Sequence, residues 1–203
     1  MTAFIPSLLE HTKEPVSITP LTGMQGSGTN AFNLSRFLVP ALCKFEGTAI
    51  WMDGSDMLMR ADLSELSAFA DERYAVQVVK HDYTPKSDRK YIGTDMEAPN
   101  EPYERKNWSS VIIWNCSHHA NRGLTKSFVE SQSGRYLHRF SWLEDSQIGE
   151  LPKTWNWLDE YGYNQDASLV HYTNGIPGFS HYHDAPHAEE WKRAMRQALK
   201  GMW

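Results

Sequence analysis

Four short stretches of apolar residues predict β-strands. They are continuous or alternate with polar positions, as strands do, and they cover residues 16–19, 49–52, 74–79 and 111–114. The last three are almost uninterrupted, which is typical of strands buried on both faces of a sheet. We therefore expect a buried sheet built from these runs.

Apolar residues at helical spacing separate and follow these strands. Residues 7–11 and 32–43 predict helices, the second with Pro40 as a kink or an end. Asp62, with Glu65 three residues later, forms a helix-start pattern. Near the end of the chain, one apolar stripe of an amphipathic helix consists of Trp191, Met195, Ala198, Leu199 and Met202. We expect this stripe to pack against the sheet.

Strands that alternate with helices predict an α/β fold. A length of 203 residues fits a single domain, 1–203. Residues 82–106 contain three prolines and scattered charge, and they predict a long loop. Loops of that length in a compact domain are usually functional or mobile.

Composition excludes several classes of protein. The chain has 20 Lys and Arg against 25 Asp and Glu, a net charge of −5, which argues against a nucleic-acid binder that relies on bulk positive charge. No long apolar run and no charged, then apolar leader is present, which predicts a cytoplasmic protein without membrane span or signal peptide. Cys43 and Cys116 stand alone in the sequence, so no disulfide framework or redox pair is implied.

Two carboxylates follow the strand predicted at residues 49–52. In an open α/β sheet, ligands bind beyond the carboxyl ends of the strands, so Asp53 and Asp56 stand where a ligand is expected. Carboxylates on a glycine-containing turn are hard oxygen ligands that suit Mg²⁺ or Mn²⁺, and such an ion would neutralise a leaving diphosphate. The alternative is an ordinary Asp-Gly turn in which Asp56 caps the segment that follows.

The segment around this turn resembles the signature of a known enzyme family. Residues 51–66 run from an apolar strand through an acidic turn into the helix start at Asp62, which is similar to the Asp-x-Asp signature of GT-A glycosyltransferases of the glycogenin-like family 8. Asp56 keeps the family's five-residue spacing to Asp62, while the first carboxylate is displaced by one residue to Asp53. Further similar segments follow in the family's order at residues 35–40, 107–115, 151–156 and 171–179.

The resemblance implies a set of site residues around a metal ion and a donor. Mn²⁺ or Mg²⁺ would be held by Asp53, Asp56 and His171. The donor, a nucleotide-diphosphate sugar, would be bound by Arg36, Asn107, Ser109, Ser110 and Gly175.

Two acidic residues are the candidates for catalysis. Glu144 and Asp145 occupy the region where the family has an acidic residue beside the acceptor or the reacting sugar. The same two residues are also compatible with a solvated turn. Structural roles are open for other positions as well: His171 follows apolar residues and fits a protein core, Arg36 fits a helix surface, and Asn156 is expected to be structural.

The chain departs from the family in two respects. The lysine that holds the diphosphate in the family has no counterpart, because Pro177 and Gly178 occupy its region. Relatives also begin with an apolar strand that contacts the nucleotide, and this chain starts at the helix that follows it. We therefore expect the usual first strand to be missing and phosphate binding to depend on the metal, Arg36 or backbone amides.

Together these features predict a single-domain GT-A (Rossmann-like) fold and a metal-dependent glycosyltransferase. It would transfer a sugar from a nucleotide-diphosphate sugar to an unknown carbohydrate or other acceptor, with the retention of configuration that the resemblance implies. Two other functions fit the same residues: a nucleotide-sugar hydrolase or nucleotidyltransferase, and a non-catalytic module that binds a sugar or a nucleotide.

Overall fold

The structure, a computed structural model, describes residues 3–21 and 34–200. The α-helices are α1 (Phe4–His11), α2 (Val39–Leu42), α3 (Leu63–Ser67), α4 (Lys126–Ser131), α5 (Gly134–His138) and α6 (Ala188–Lys200). The strands are β1 (Thr48–Met52), β2 (Met57–Met59), β3 (Val76–Val78), β4 (Arg89–Lys90), β5 (Ala98–Pro99), β6 (Val111–Asn115), β7 (Ile148–Glu150), β8 (Trp157–Leu158) and β9 (Leu169–His171). Short 3₁₀ helices lie at Ser35–Leu38, Trp108–Ser110, His119–Asn121, Asp145–Gln147, Lys153–Asn156, Asp159–Tyr161 and Ser180–Tyr182. The predicted mixture of helices and strands is confirmed.

The strands form three sheets. The largest has the order β1-β6-β3-β7, in which β6 is antiparallel to β1 and β3, whereas β3 and β7 are parallel. It follows that β1, β3 and β7 all run in the same direction. We call the side of this sheet on which these three strands terminate its carboxyl end, and the opposite side its amino end. A second sheet has the order β2-β9-β8, and β4 pairs with β5 in a small hairpin.

Strand β1 differs from its prediction because it lies at the margin of the large sheet. Among the described residues it pairs with β6 alone, and most of its side chains are partly exposed, whereas β3 is fully buried. Its apolar side chains still contact the core on both faces: Trp51 on one side and Met52 on the other. The prediction that residues 49–52 form a fully buried strand is therefore wrong. Both faces pack against the core, but all four residues are partly exposed, and among the described residues no strand pairs with the other edge of β1.

The strand predicted at residues 16–19 is not formed. This segment has no strand structure, Val16 is partly exposed and Ile18 is 39% exposed. Pro15 and Pro20 flank it and cannot donate backbone hydrogen bonds, which disfavours pairing with a neighbouring strand. The alternating pattern of residues 16–19 is therefore not sufficient for a strand, because this segment pairs with none of the described strands.

The helix predicted at residues 32–43 is divided into two parts. Its described portion consists of the 3₁₀ helix Ser35–Leu38 followed by α2, and residues 32–33 lie outside the described ranges. Pro40 does not end the helix, as one prediction had it, but stands in the first turn of α2. A proline is tolerated there because that backbone nitrogen needs no helical acceptor.

Two other helices agree more closely with the sequence. Asp62 caps α3 as predicted, since its side chain accepts a hydrogen bond from the backbone nitrogen of Ser64. In α6, Trp191 is buried and Met195 packs against the core, but Leu199 is 51% exposed. Met202, the last residue of the predicted stripe, lies outside the described ranges. None of the helices in those ranges is long and apolar enough to cross a membrane.

The two cysteines, which the sequence separates, are neighbours in the fold. Cys116 is buried in the large core, and Cys43 packs against the same core from the end of α2. Burial, and after it the adjacent Cys43 thiol, raises the pKa of Cys116 to about 12. Both cysteines are free thiols.

Candidate active site

The acidic turn after β1 is held firmly at the carboxyl end of the large sheet. Its first residue, Asp53, donates a backbone hydrogen bond of 3.0 Å to the carbonyl oxygen of Ser110, just before β6. Gly54 has a φ of +72°, and a Cβ there would lie 3.2 Å from the Phe4 ring. A glycine is therefore favoured by both backbone conformation and space.

Asp56 and His171 are brought together by the second sheet. In the pairing of β2 with β9, Met57 lies opposite His171, and the backbone nitrogen of Tyr172 donates to the carbonyl oxygen of Asp56. This register places the Asp56 Oδ2 atom 3.5 Å from Nε2 of His171. His171 is 3% exposed. The predicted pairing of a carboxylate with this imidazole is thus present in the structure.

The electrostatics of this pair favour opposite charges. Burial by itself acts to raise the pKa of Asp56, but the charge of His171 and its hydrogen bond outweigh burial, so the pKa is lowered. Burial likewise acts to lower the pKa of His171, yet the charge of Asp56 and the same hydrogen bond leave that pKa raised. A proton on His171 therefore balances the charge of Asp56, and a metal ion bound at Nε2 would displace that proton.

Asn156 fixes the orientation of the His171 ring. Nδ1 of His171 lies 2.9 Å from Oδ1 of Asn156, and because an amide oxygen only accepts, the imidazole donates its proton there. The Nδ2 group of Asn156 in turn donates to the carbonyl oxygen of Asn107 at 3.1 Å. Asn156 is fully buried. Its oxygen directs Nε2 of His171 towards Asp56, an arrangement common for metal-binding histidines.

Two buried polar atoms near this chain of hydrogen bonds have no partner. Among the described residues, Oδ1 of Asp56 and Nδ2 of Asn107 are buried and make no hydrogen bond. Asn107 also has a left-handed backbone, with a φ of 66°. Buried polar atoms are nearly always satisfied in folded proteins, so these two atoms are available to a water molecule or a ligand.

Asp53 is engaged by an internal cation. Nη1 of Arg36 lies 2.7 Å from Oδ1 of Asp53 and also donates to the carbonyl oxygen of Ser109. The indole nitrogen of Trp51 donates to the same Asp53 oxygen at 3.1 Å. Arg36 is 6% exposed, so it is a buried bridge rather than a surface cation.

The structure thus joins two of the three predicted metal ligands and places the third beside Arg36. Across residues 3–21 and 34–200, no three His, Cys, Asp or Glu side chains lie close enough together to hold a metal ion. The charges of Asp53 and Asp56 nonetheless both act on His171. The Asp53 carboxylate is close enough to contribute electrostatically, although its hydrogen bonds go to Arg36 and Trp51.

Three residues predicted to bind the donor make their contacts with other residues of the protein. Ser109 makes a 2.7 Å hydrogen bond through its hydroxyl to Nδ1 of His138, and the Ser110 carbonyl oxygen holds the acidic turn. Both serines are buried. At Gly175, a Cβ would lie 2.3 Å from the ring of Tyr182. The space at Gly175 is therefore filled by an aromatic ring of this chain.

The two candidate catalytic acids lie elsewhere. Glu144 and Asp145 precede β7, so they stand at the amino end of the sheet. The Asp145 side chain is 88% exposed and pairs with Arg105. Glu144 and Gln147 cap each other across a single 3₁₀ turn. The structure does not bring these acids to the carboxyl end of the sheet.

The loop at residues 82–106 supplies neighbours of the site that the sequence did not identify. The backbone nitrogen of Tyr91 donates to the carbonyl oxygen of Asn174 at 2.6 Å. Burial, then the charges of Asp56 and Asp53, raises the pKa of Tyr91. The length of the loop was the only sequence signal that it contributes to function.

The fold is that of the GT-A glycosyltransferases. It matches the galactosyltransferase LgtC, solved with donor and acceptor sugar analogues, with a TM-score of 0.54 and 13% identity, over 84% of this chain and 68% of that one. It matches the glycosyltransferase GlyE of Streptococcus pneumoniae TIGR4 with a TM-score of 0.52 and 13% identity, over 82% of this chain. The chain covers 43% of the length of GlyE. The GT-A fold expected from the sequence is confirmed.

In sequence, the chain is 37% identical to Protein CDI of Arabidopsis thaliana over 214 residues, which is 96% of this chain and 80% of that protein. The chain belongs to the family of Protein CDI. No protein-family model matches it. The name of this relative states no activity.

Proposed function

We propose that the chain is a metal-dependent glycosyltransferase that moves a sugar from a nucleotide-diphosphate sugar to a carbohydrate or other acceptor, with retention of configuration. The observation that carries this proposal is the pair of the partly buried Asp56 and the buried His171, in which the carboxylate keeps one oxygen without a partner. The pair lies at the carboxyl end of the sheet, where α/β folds bind their ligands.

The residues present fit a divalent cation. A carboxylate oxygen together with a neutral imidazole nitrogen suits Mn²⁺, and the unpartnered Oδ1 of Asp56 is a ready ligand. His171 would coordinate through Nε2, because Asn156 holds its other nitrogen. Asp53 is the proposed third ligand. When bound, the ion supplies positive charge to the leaving diphosphate.

Residues of the chain itself would orient the donor. Arg36 holds Asp53 in place and would bring a positive charge close to the phosphates of the donor. The unpartnered Nδ2 of Asn107 would donate to an oxygen of the donor. Ser109, Ser110 and Gly175 would act through the shape of the site, since their own contacts lie within the protein.

Two expectations stay predictions. A catalytic role for Glu144 and Asp145, in which the acceptor attacks from the front side of the sugar, draws no support from their exposed position. The expectation that the GT-A sheet lacks its usual first strand likewise stays a prediction.

A thermal-shift screen of nucleotide sugars with and without Mn²⁺ tests the proposal. We expect one class of donor to stabilise the protein only when Mn²⁺ is present, by about 2.7 kcal/mol when the donor is at 100 times its Kd. Asp56→Asn should remove this shift, because it replaces the carboxylate that faces His171. Asp166→Asn is the matched control, since it removes an equal charge from an exposed position outside the proposed site.

Three outcomes contradict the proposal. Binding that is unchanged by EDTA and accompanied by no turnover indicates a non-catalytic binding module. Consumption of the donor without an acceptor, with release of free sugar or nucleoside monophosphate, indicates a hydrolase or nucleotidyltransferase. A shift that persists in Asp56→Asn places the metal elsewhere.

A further inference from the structure

An exposed tyrosine stands over an open cavity at the start of α6. The cavity has a volume of about 530 Å³ and is lined by Tyr163 and by side chains between residues 183 and 192. Tyr163 is 67% exposed. Its ring stacks on the ring of His187, with 4.4 Å between the centroids and an interplanar angle of 21°. The imidazole therefore covers one face of the tyrosine, and the high exposure leaves the other face open to solvent.

His187 is a rigid support for this ring. Its side chain is fully buried, and both of its nitrogens are engaged. The backbone nitrogen of Asn164 donates to Nε2 at 3.4 Å, so the proton of the imidazole is on Nδ1, which lies 3.1 Å from Oε1 of Glu190. The other oxygen of Glu190 accepts from Nε of Arg60 at 2.8 Å. A ligand that stacks on Tyr163 therefore meets a surface that is already ordered, which lowers the entropic cost of binding.

The charged side chains around the cavity leave an acceptor free, and not a cation. Nζ of Lys192 donates to Oε1 of Glu189 at 2.9 Å. Asp184 is exposed and, within the described ranges, belongs to no ion pair within 4.0 Å. A carboxylate without a counterion repels phosphate groups and accepts hydrogen bonds from hydroxyl groups. The cavity therefore suits a neutral ligand that carries hydroxyl groups, and it disfavours a nucleotide.

We propose that Tyr163 and Asp184 form a binding site for a neutral carbohydrate. The apolar C–H face of a sugar ring would stack on the open face of Tyr163, and hydroxyl groups of the sugar would donate to the carboxylate of Asp184. An ordered aromatic surface with a few convergent polar groups is typical of small-molecule sites.

This site is separate from the candidate active site. Arg60, which holds Glu190, follows Met59 at the end of β2 that is remote from Asp56. The three residues of β2 span roughly 10 Å at about 3.3 Å per residue. The carbohydrate site goes beyond the proposed function and does not depend on it, because its own residues define it.

An array of neutral oligosaccharides, probed in metal-free buffer with EDTA, tests the site. We expect the wild type to bind at least one of them, which then serves as the probe for calorimetric titration. Tyr163→Ala should weaken its binding by about tenfold or more, because the stacking surface is lost. Tyr163→Phe keeps the ring and should bind as the wild type does. Asp184→Asn should also weaken binding, since the amide offers one acceptor oxygen fewer.

The matched control is Phe69→Ala. It removes an aromatic ring that is 40% exposed and does not line the cavity, so it should leave the affinity for the oligosaccharide unchanged. Circular dichroism confirms that each variant is folded. An equal loss of affinity in Tyr163→Ala and in Phe69→Ala would overturn the site.

Three further results contradict the proposal. The first is that no neutral oligosaccharide of the array binds the wild type. The second is that binding persists in Tyr163→Ala and is lost in Asp56→Asn, which places the sugar in the candidate active site. The third is that tetramethylammonium chloride, and no oligosaccharide, binds the wild type but not Tyr163→Ala, since the ring then holds a cation.

The same measurements separate the failure of this site from the failure of the proposed function. If an oligosaccharide binds through Tyr163 while no nucleotide sugar shifts the melting temperature with Mn²⁺, the carbohydrate site stands and the proposed function fails. If a nucleotide sugar binds with Mn²⁺ while Tyr163→Ala binds every oligosaccharide as the wild type does, the proposed function stands and the carbohydrate site fails.

Discussion

Two pairs of acidic residues in this chain look alike in sequence and differ completely in the fold. Asp53 and Asp56 follow β1 at the carboxyl end of the large sheet, where Arg36 and His171 face them. Glu144 and Asp145 precede β7 at the amino end, and the Asp145 side chain is 88% exposed. The first pair contacts the buried side chains of Arg36 and His171, and the second pair lies on a surface turn.

The difference shows what gives an acidic pair its chemistry. In water, a carboxylate attracts a cation only weakly, because the solvent screens the charge. Asp56 is partly buried, lies 3.5 Å from the His171 ring nitrogen and keeps one oxygen without a hydrogen bond. The surroundings, and not the residue type, distinguish the candidate site from the surface turn.

The largest effect on metal binding is expected at Asn156, which orients His171 towards Asp56. Asn156→Ala removes the acceptor that orients His171, and we expect the affinity for Mn²⁺ to fall by about 10- to 100-fold. Asn156→Asp keeps an oxygen for Nδ1 of His171 and should bind Mn²⁺ more tightly than the alanine variant. Calorimetric titration with Mn²⁺ measures both affinities.

The matched control is Gln147, which lies beside the exposed pair of Glu144 and Asp145. Gln147→Ala removes the side chain that accepts the hydrogen bond from the backbone nitrogen of Glu144, and it should leave Mn²⁺ binding unchanged. A folded Asn156→Ala protein with wild-type affinity for Mn²⁺ would show that Asn156 is merely structural.

A smaller effect is expected from acid. Burial, then the charge of Arg36, lowers the pKa of His138 to about 3, while an unfolded chain has a histidine pKa of about 6.5. Below about pH 6.5 the histidine takes up a proton in the unfolded chain but stays neutral in the folded chain. The free energy of unfolding therefore decreases as the pH is lowered. At pH 5 this one group lowers the free energy of unfolding by about 2 kcal/mol relative to neutral pH.

Urea unfolding at pH 7 and pH 5 measures this loss. In His138→Gln the loss between the two values should be smaller by about the same 2 kcal/mol, because the titrating group is gone. An identical loss in the variant and the wild type would mean that His138 is not the group responsible. The contact between His138 and Ser109 would then not be the part of the fold that is sensitive to acid.

The smallest effect is expected at the exposed pair itself. Asp145→Asn breaks its ion pair with Arg105, and surface pairs of this kind contribute about 0–1 kcal/mol to stability. Urea unfolding should detect little change, and donor turnover should stay near that of the wild type. A loss of turnover comparable to that of Asp56→Asn would instead support the predicted catalytic role of Asp145.

Several parts of the fold and the site were accessible from the sequence. Short-range patterns predicted the buried strand β3, the cap at Asp62 and the acidic turn after β1, because each depends on residues close together in the chain. The resemblance to GT-A glycosyltransferases predicted the fold, and it placed Asp56 with His171, which the register of β2 and β9 brings within 3.5 Å.

Only the tertiary structure decided the remaining points. Whether a run such as residues 49–52 lies in the middle of a sheet or at its margin depends on which strand lies beside it, and its own composition does not record that. The burial of Arg36 against Asp53 arises from a contact between distant segments. By itself, the sequence determined which polar and charged side chains are available, and the packing of the chain determined which of them meet, because charge and hydrogen bonding act over a few ångströms in space.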